Sequence, residues 1–275
     1  MTFAHHKGGT GKTTSCLNIS GFMERAGKKV LVVDIDPQAN ATSGLGIDPV
    51  SLETSIYDVF MSRVEGYPRI TVPDVTIRTE SGIDLAPSTL DLVGVEPFLY
   101  NIEQRFRILK DALHGVIHRY DFILIDTPPS MGQLVINGLI AADHTVVTFD
   151  RGVFALKGLN TLMTIFDDIQ EMVGEKISPD MAILTRWNNT TDKENTWFRA
   201  ILSILGIENK EDEEKENLIG IENEVKKHFP RVFAVPYNKA IYQAQKSGMP
   251  ISHFAPDCDA GKMYEQITGE MIGWR

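Results

Sequence analysis

Residues 7–14 read KGGTGKTT, between a short strand signal at Thr2 to His5 and apolar residues at Cys16, Ile19, Phe22, Met23 and Ala26. The latter spacing is helical. Glycines let a backbone curl so that successive N–H groups converge on an anion, and the positive end of the following helix adds to that field. Gly8, Gly9, Thr10, Gly11, Lys12, Thr13 and Thr14 thus form a candidate phosphate loop. Lys12 is placed to reach the β- and γ-phosphates of a nucleotide, and the Thr13 hydroxyl to bind Mg²⁺. The strict form of this motif has glycine six residues before the lysine, where this chain has His6.

Outward from the loop, Gly27 fits a helix stop, and Lys28 and Lys29 suit the negative end of the helix. Val30 to Asp34 (VLVVD) is a continuous apolar run ending in a carboxylate, as expected of a parallel strand covered on both faces. Strand, loop, helix and buried strand make a βαβ unit. Further strands are expected at Ile83 to Ala86, Phe122 to Ile125, Thr145 to Phe149, Met181 to Leu184 and Val232 to Val235. Helical stretches are expected from about Leu90 to Ile117 and from Leu156 to Met172. This alternation predicts an α/β fold, a doubly wound, mainly parallel sheet with helices on both faces. One domain over residues 1–275 is expected, with a less regular acidic insertion at about 187–224.

Composition narrows the classes. The chain has 275 residues, 43% of them hydrophobic and 23% charged, an ordinary globular balance. No apolar run approaches the roughly 20 residues of a membrane span, and no leader is read ahead of the first motif, so a cytoplasmic location is expected. Two cysteines, Cys16 and Cys258, without a CxxC pair, argue against a disulfide scaffold or a zinc ribbon. The net charge of −10 argues against a uniformly basic nucleic-acid binder, yet it hides an asymmetry. Ile207 to Glu224 carries eight acids, whereas Val225 to Pro256 has none and holds Lys226, Lys227, Arg231, Lys239 and Lys246. These five are candidate contacts to DNA phosphates; as residues alone they serve equally as helix-capping lysines.

The pattern KGG-x-GK-[ST]-T resembles the deviant Walker A motif of the ParA/MinD family, closest to its ParA/Soj-type partitioning ATPases. Two further segments share the resemblance. Asp34 to Gly46 reads DIDPQANATSGLG, like that family's first switch, and Phe122 to Ser130 reads FILIDTPPS, like its Walker B strand and second switch. Similarity is dense through about Leu159, weaker from Met181, and thin from Trp187 to Glu224.

The resemblance implies an ATP hydrolase with Mg²⁺ that forms an ATP-dependent homodimer, binds DNA without sequence preference and is reset by a ParB-like or cargo-adaptor protein. It implies that Lys7 reaches the phosphates of the partner subunit's ATP, that Asp36 positions the attacking water, and that Thr13, Asp36 and Asp126 organise the metal. Asp36 alone could also be a turn residue before Pro37, and Lys7 alone a solvated lysine. Adenine contacts map to Thr185 to Asn188 and to Pro236 to Asn238; Tyr237 either stacks on the base or packs in its loop. No arginine finger is evident, and such a finger contributes about 10³ to 10⁵ in rate, so slow hydrolysis without a partner is expected.

Two other readings compete. A MinD-like membrane-cycling ATPase would carry a basic amphipathic C-terminal helix. Met263, Tyr264, Ile267, Met271 and Trp274 share a helical face, but Glu265 and Glu270 flank it and only Lys262 and Arg275 are basic. A final helix packed on the sheet is therefore expected. A reductase or cluster carrier resembling nitrogenase iron protein or Mrp would need the paired cysteines that this chain lacks.

Overall fold

Side chains along a strand alternate between the two faces of its sheet, and that alternation assigns the helices to their layers. In the computed structural model, which describes residues 1–151, 155–187 and 210–274, the strand Val30–Asp34 (β2) is wholly buried. Val30 and Val32 enter one core cluster, and Leu31 and Val33 another. The strand Phe122–Asp126 (β5) splits likewise, Leu124 to the first cluster and Ile125 to the second.

The remaining strands are Thr2–Ala4 (β1), Ile77–Arg78 (β3), Asp84–Ala86 (β4), Thr145–Asp150 (β6), Pro179–Thr185 (β7) and Val232–Ala234 (β8). They pair in the order β3-β4-β2-β5-β1-β6-β7-β8, all parallel except β3 against β4. The doubly wound, mainly parallel α/β sheet is thus as expected. β3 was not expected, and two residues are too few to show a period.

The first cluster joins the helix Lys12–Arg25 (α1) to the sheet through Cys16, Leu17, Ile19, Phe22 and Met23. The stop at Gly27 is real: its φ is +73°, its N–H bonds the Glu24 carbonyl at 2.8 Å and the Lys28 N–H bonds that of Met23 at 3.1 Å. The same face carries the last helix, Asp259–Ile272, whose Tyr264, Ile267 and Met271 are essentially inaccessible. Its apolar side is therefore committed to the core, which leaves it no face for a lipid surface. Cys258 caps it, its sulfur accepting from the Gly261 N–H at 3.3 Å. Among the described residues no helix is long and apolar enough to cross a membrane.

The opposite face carries the helices Ile56–Met61, Ile108–His114 and Gln133–Ala141, and then Ala155–Val173 with Leu159, Leu162, Phe166 and Ile169 inward. The continuous helix expected from Leu90 to Ile117 is instead broken. Short turns at Leu90–Gly94 and Glu96–Leu99 precede Ile108–His114, and Gln104 adopts a φ of +61° that no helix contains. The apolar period that suggested one helix includes Leu90, Val93 and Phe98, all of them exposed.

Residues 188–209 of the expected acidic insertion lie outside the described residues. Trp187 at its start is 3% exposed, and Lys210–His228 is a regular helix whose Ile221 and Val225 are buried with Phe229 just beyond it.

Candidate functional site

The C-terminal ends of β1, β2, β5, β7 and β8 open on one cleft of about 780 Å³, the side of an open α/β sheet where ligands bind. Gly8, Gly9, Gly11, Lys12, Thr13, Thr14, Asp36, Pro236 and Tyr237 all line it. The structure thus brings together most of the residues that the motifs nominated from distant parts of the chain.

The loop itself is bent at two glycines, Gly9 at φ +76° and Gly11 at φ +93°, a region open to glycine and costly for other residues. A Cβ at Gly11 would lie 2.7 Å from Thr185 Cγ2, so the loop is seated against the end of β7. His6 stands where the strict motif has glycine, but it has no positive φ and needs no glycine. Its ring stacks on His5 at 4.5 Å, and His5 meets Phe149 edge-on at 5.3 Å. His5 Nδ1 accepts the Lys7 N–H at 2.9 Å. Burial first, and then the neighbouring His6, Lys12 and Lys7, push the His5 pKa down to about 3, so the ring is neutral.

At the foot of the loop the Thr13 hydroxyl donates to Asp126 Oδ2 at 2.7 Å. Asp126 is fully buried, and its Oδ1 has no hydrogen-bond partner among the described residues. Lys12 is 6% exposed. Burial lowers its pKa, a shift opposed by the carboxylates of Asp126 and Asp36. Burial and then the adjacent Asp34 raise the Asp126 pKa well above the usual range, against the Thr13 hydrogen bond and Lys12. Two carboxyls and one ammonium are thus held out of water with a lone acceptor unfilled. A buried polar atom without a partner is costly, so this arrangement suits a cation and an anionic ligand arriving together.

Asp36 is 5% exposed, and its Oδ1 accepts the Gln38 N–H at 2.9 Å. Ala39, next in that turn, sits at φ +52°, an uncommon conformation for a residue with a Cβ. The device that holds this turn was not read from the sequence. Asp34 Oδ1 accepts the Asp36 N–H at 3.0 Å, and Oδ2 accepts both the N–H and the hydroxyl of Thr42, at 2.8 and 2.7 Å. Burial pushes Asp34 up to about 6, although these three bonds oppose the shift. Thr42 Oγ1 in turn accepts the Ser88 N–H at 2.9 Å. The D-x-D spacing of Asp34 and Asp36 was the available signal.

On the opposite wall, Asn238 caps the helix Lys239–Lys246, accepting the Ala240 N–H at 2.9 Å. Its Ile241, Tyr242, Gln245 and Lys246 line the cleft, and Gln245 donates to Thr14 Oγ1 at 3.1 Å. Tyr237 and Tyr242 are 54% and 71% exposed. The turn after this helix touches the first switch backbone to backbone: Gly248 at φ +67° faces Gly46 at φ +82°, and a Cβ on Gly248 would lie 2.5 Å from the Gly46 Cα. Thr185, within the stretch read as base contacts, lines the cleft and gives its hydroxyl to the Thr10 carbonyl at 2.8 Å, and Thr10 Oγ1 meets Thr148 Oγ1 at 2.9 Å. Asn188 lies outside the described residues.

Lys7 is exposed, and its ammonium makes no hydrogen bond or ion pair among the described residues. The five cations nominated for DNA divide. Lys226 pairs with Glu222, Lys227 with Glu224 and Arg231 with Glu270, at 2.6, 2.6 and 2.7 Å. Lys239 and Lys246 lie seven residues apart on one helix, two turns along the same side.

Known proteins share this organisation. Residues 1–179 match the family model described as an AAA domain. The sporulation initiation inhibitor protein Soj of Bacillus subtilis is 31% identical over 98% of this chain and 97% of its own length. The chromosome partitioning protein ParA of Caulobacter vibrioides is 29% identical over 99% and 93%. Among solved structures, cobyrinic acid a,c-diamide synthase from Mycobacterium smegmatis with bound ATP analog and magnesium superposes with a TM-score of 0.77. It covers 98% of this chain and 92% of its own at 24% identity, a likeness of fold alone. With the glycine loop, the carboxylate-tipped β2 and β5 and these full-length relatives in agreement, the chain belongs to the ParA/MinD family of P-loop ATPases.

Proposed function

We propose that this ATPase is a positioning switch of the partitioning type: ATP with Mg²⁺ joins two copies of the chain face to face, the dimer binds DNA without sequence preference, and hydrolysis releases it. The observation that carries the reading is the hydrogen bond of Thr13 to the buried Asp126, whose Oδ1 is unpartnered among the described residues, beside the buried Lys12. Those groups fit a magnesium–triphosphate. When bound, that group supplies the phosphoanhydride whose cleavage resets the switch.

The chain's own residues divide the work. The amides of residues 8–14 and the Lys12 ammonium would neutralise the phosphates, and Thr13 and Asp126 would hold the metal. Asp36, fixed by the Gln38 N–H, keeps its second oxygen to orient a water and to support the metal shell. Lys7 completes the partner's site. An ammonium about 4 Å from a unit negative charge gains roughly 4 kcal/mol at an effective dielectric near 20, but only when a phosphate is present, so dimerisation follows the nucleotide. With no arginine finger read from the sequence, a basal rate well below a typical turnover of about 10 per second is expected until a ParB-like or cargo-adaptor protein engages.

For DNA, Lys239 and Lys246 are the leading contacts. The ion pairs of Lys226, Lys227 and Arg231 are exposed and worth at most about 1 kcal/mol, so a phosphate can displace them. A cytoplasmic protein that rides on the nucleoid follows from this reading.

Light scattering and DNA binding with ATP, ADP and no nucleotide test the proposal. Wild type is expected to dimerise and bind DNA only with ATP, losing affinity steeply with salt. Asp36→Ala is expected to remain a DNA-binding dimer without turning over, and Lys7→Ala to bind nucleotide yet stay monomeric. Normal dimerisation of Lys7→Ala on ATP would remove the cross-subunit role.

A further inference from the structure

Two peptide units whose amides belong to the phosphate loop, Gly9–Thr10 and Thr10–Gly11, are free to turn over, because each adjoins a glycine at positive φ. Both have their carbonyls tied to consecutive residues at the end of β7. Arg186 donates from a guanidinium N–H to the Gly9 carbonyl at 2.7 Å, and Thr185 from its hydroxyl to the Thr10 carbonyl at 2.8 Å. Arg186 itself adopts a φ of +56°, a conformation that a residue with a Cβ holds only when its surroundings over-determine it. Its guanidinium also meets the Asp150 carboxylate at 3.3 Å, at the end of the neighbouring β6.

In a trans peptide the C=O and the next N–H point in opposite directions. A carbonyl held by a fixed donor therefore fixes the direction of the following amide as well. We infer that Arg186 is a positioning residue for nucleotide binding: by holding the Gly9 carbonyl, with Thr185 doing the same one peptide on, it fixes the directions of the Thr10 and Gly11 amides before any nucleotide arrives. The inference rests on the ATPase reading of the same loop. The pinning works through a hydrogen bond, so a neutral donor of adequate length can replace the guanidinium, which a role for charge alone would not allow.

The test compares wild type, Arg186→Ala and Arg186→Gln for Mg²⁺-ADP and Mg²⁺-ATP affinity by calorimetry, for KM and kcat, and for melting without nucleotide. Loss of one charge-assisted bond predicts about a tenfold weaker affinity for both nucleotides in Arg186→Ala. KM should rise with little change in kcat, and Arg186→Gln should recover most of the loss. The side chain is 52% exposed, so melting of the nucleotide-free variants should stay within about 2 °C of wild type. Wild-type affinity in Arg186→Ala, or an Arg186→Gln as weak as Arg186→Ala, overturns the inference. Failure of wild type itself to bind either nucleotide would instead overturn the ATPase reading.

Discussion

The two ends of the cleft are built from opposite kinds of side chain. At the phosphate end Lys12, Asp34, Asp36 and Asp126 are all less than a tenth exposed, and Thr13, Thr42 and Gln38 fix three of the carboxyls at 2.7 to 2.9 Å. At the base end Tyr237 and Tyr242 are more than half exposed. Burial makes each charge at the phosphate end expensive to misplace, so nearly every residue there is dictated by its neighbours. Exposure leaves the base end free to vary, with area rather than electrostatics as its contribution.

That contrast predicts a steep gradient of mutational effect. Lys12→Ala should act most strongly. It removes the cation that opposes the burial of Asp126 and Asp36, and ATP affinity should fall by about 100-fold or more. Its nucleotide-free form should also melt below wild type, as calorimetry would register.

Asp126→Asn should separate stability from function. Mg²⁺-dependent hydrolysis should drop by about 10² to 10³, whereas the nucleotide-free protein should melt about 2–4 °C higher, the shift expected for roughly 1 kcal/mol in a domain of this size. The pH dependence has a defined sign. Asp34 titrates at about 6 in the fold against 3.8 as a model group, so the folded protein holds the extra proton between those values. The Asp34 contribution to the stability of the nucleotide-free protein therefore falls as pH rises from 3.8 to about 6, and Asp126, held well above the usual carboxylate range by burial and by Asp34, adds a loss of the same sign. Asp126→Asn removes that second raised carboxyl and with it part of the slope. A variant no more stable than wild type at pH 7 would mean that the buried carboxyls carry no strain.

The smallest effect belongs to the base end. Tyr237→Ala and Tyr242→Ala should each weaken ATP by no more than about threefold, in keeping with exposed aromatic contacts, and any change should appear in discrimination between ATP and GTP. A tenfold loss from either would erase the contrast.

The same contrast explains what the sequence disclosed. β2 is read to the residue because a buried parallel strand must be apolar throughout, and Asp34, Asp36 and Asp126 stand out as carboxylates closing such runs. The residues from Lys7 to Thr14 were legible because the backbone's path demands glycine at two of them. Asp34 as the anchor of the first switch, Thr148, and the pair Thr185 and Arg186 were not legible in those roles. Their partners lie 8 to 177 positions away and meet only through the order of the strands and the turn after β2. The segment from Leu90 to Ile117 misled for the complementary reason: apolar spacing reports a helix only when the apolar face is covered, and here Leu90 and Val93 face solvent.

The abutting glycines at positions 46 and 248 give the two ends of the cleft a common pivot. With no side chain on either to yield like a spring, a displacement of one turn has nothing soft to absorb it before it meets the other. If the proposed assignment of the two walls holds, a ligand that fits poorly at the nucleoside would press on the same joint as one that lacks its terminal phosphoryl group.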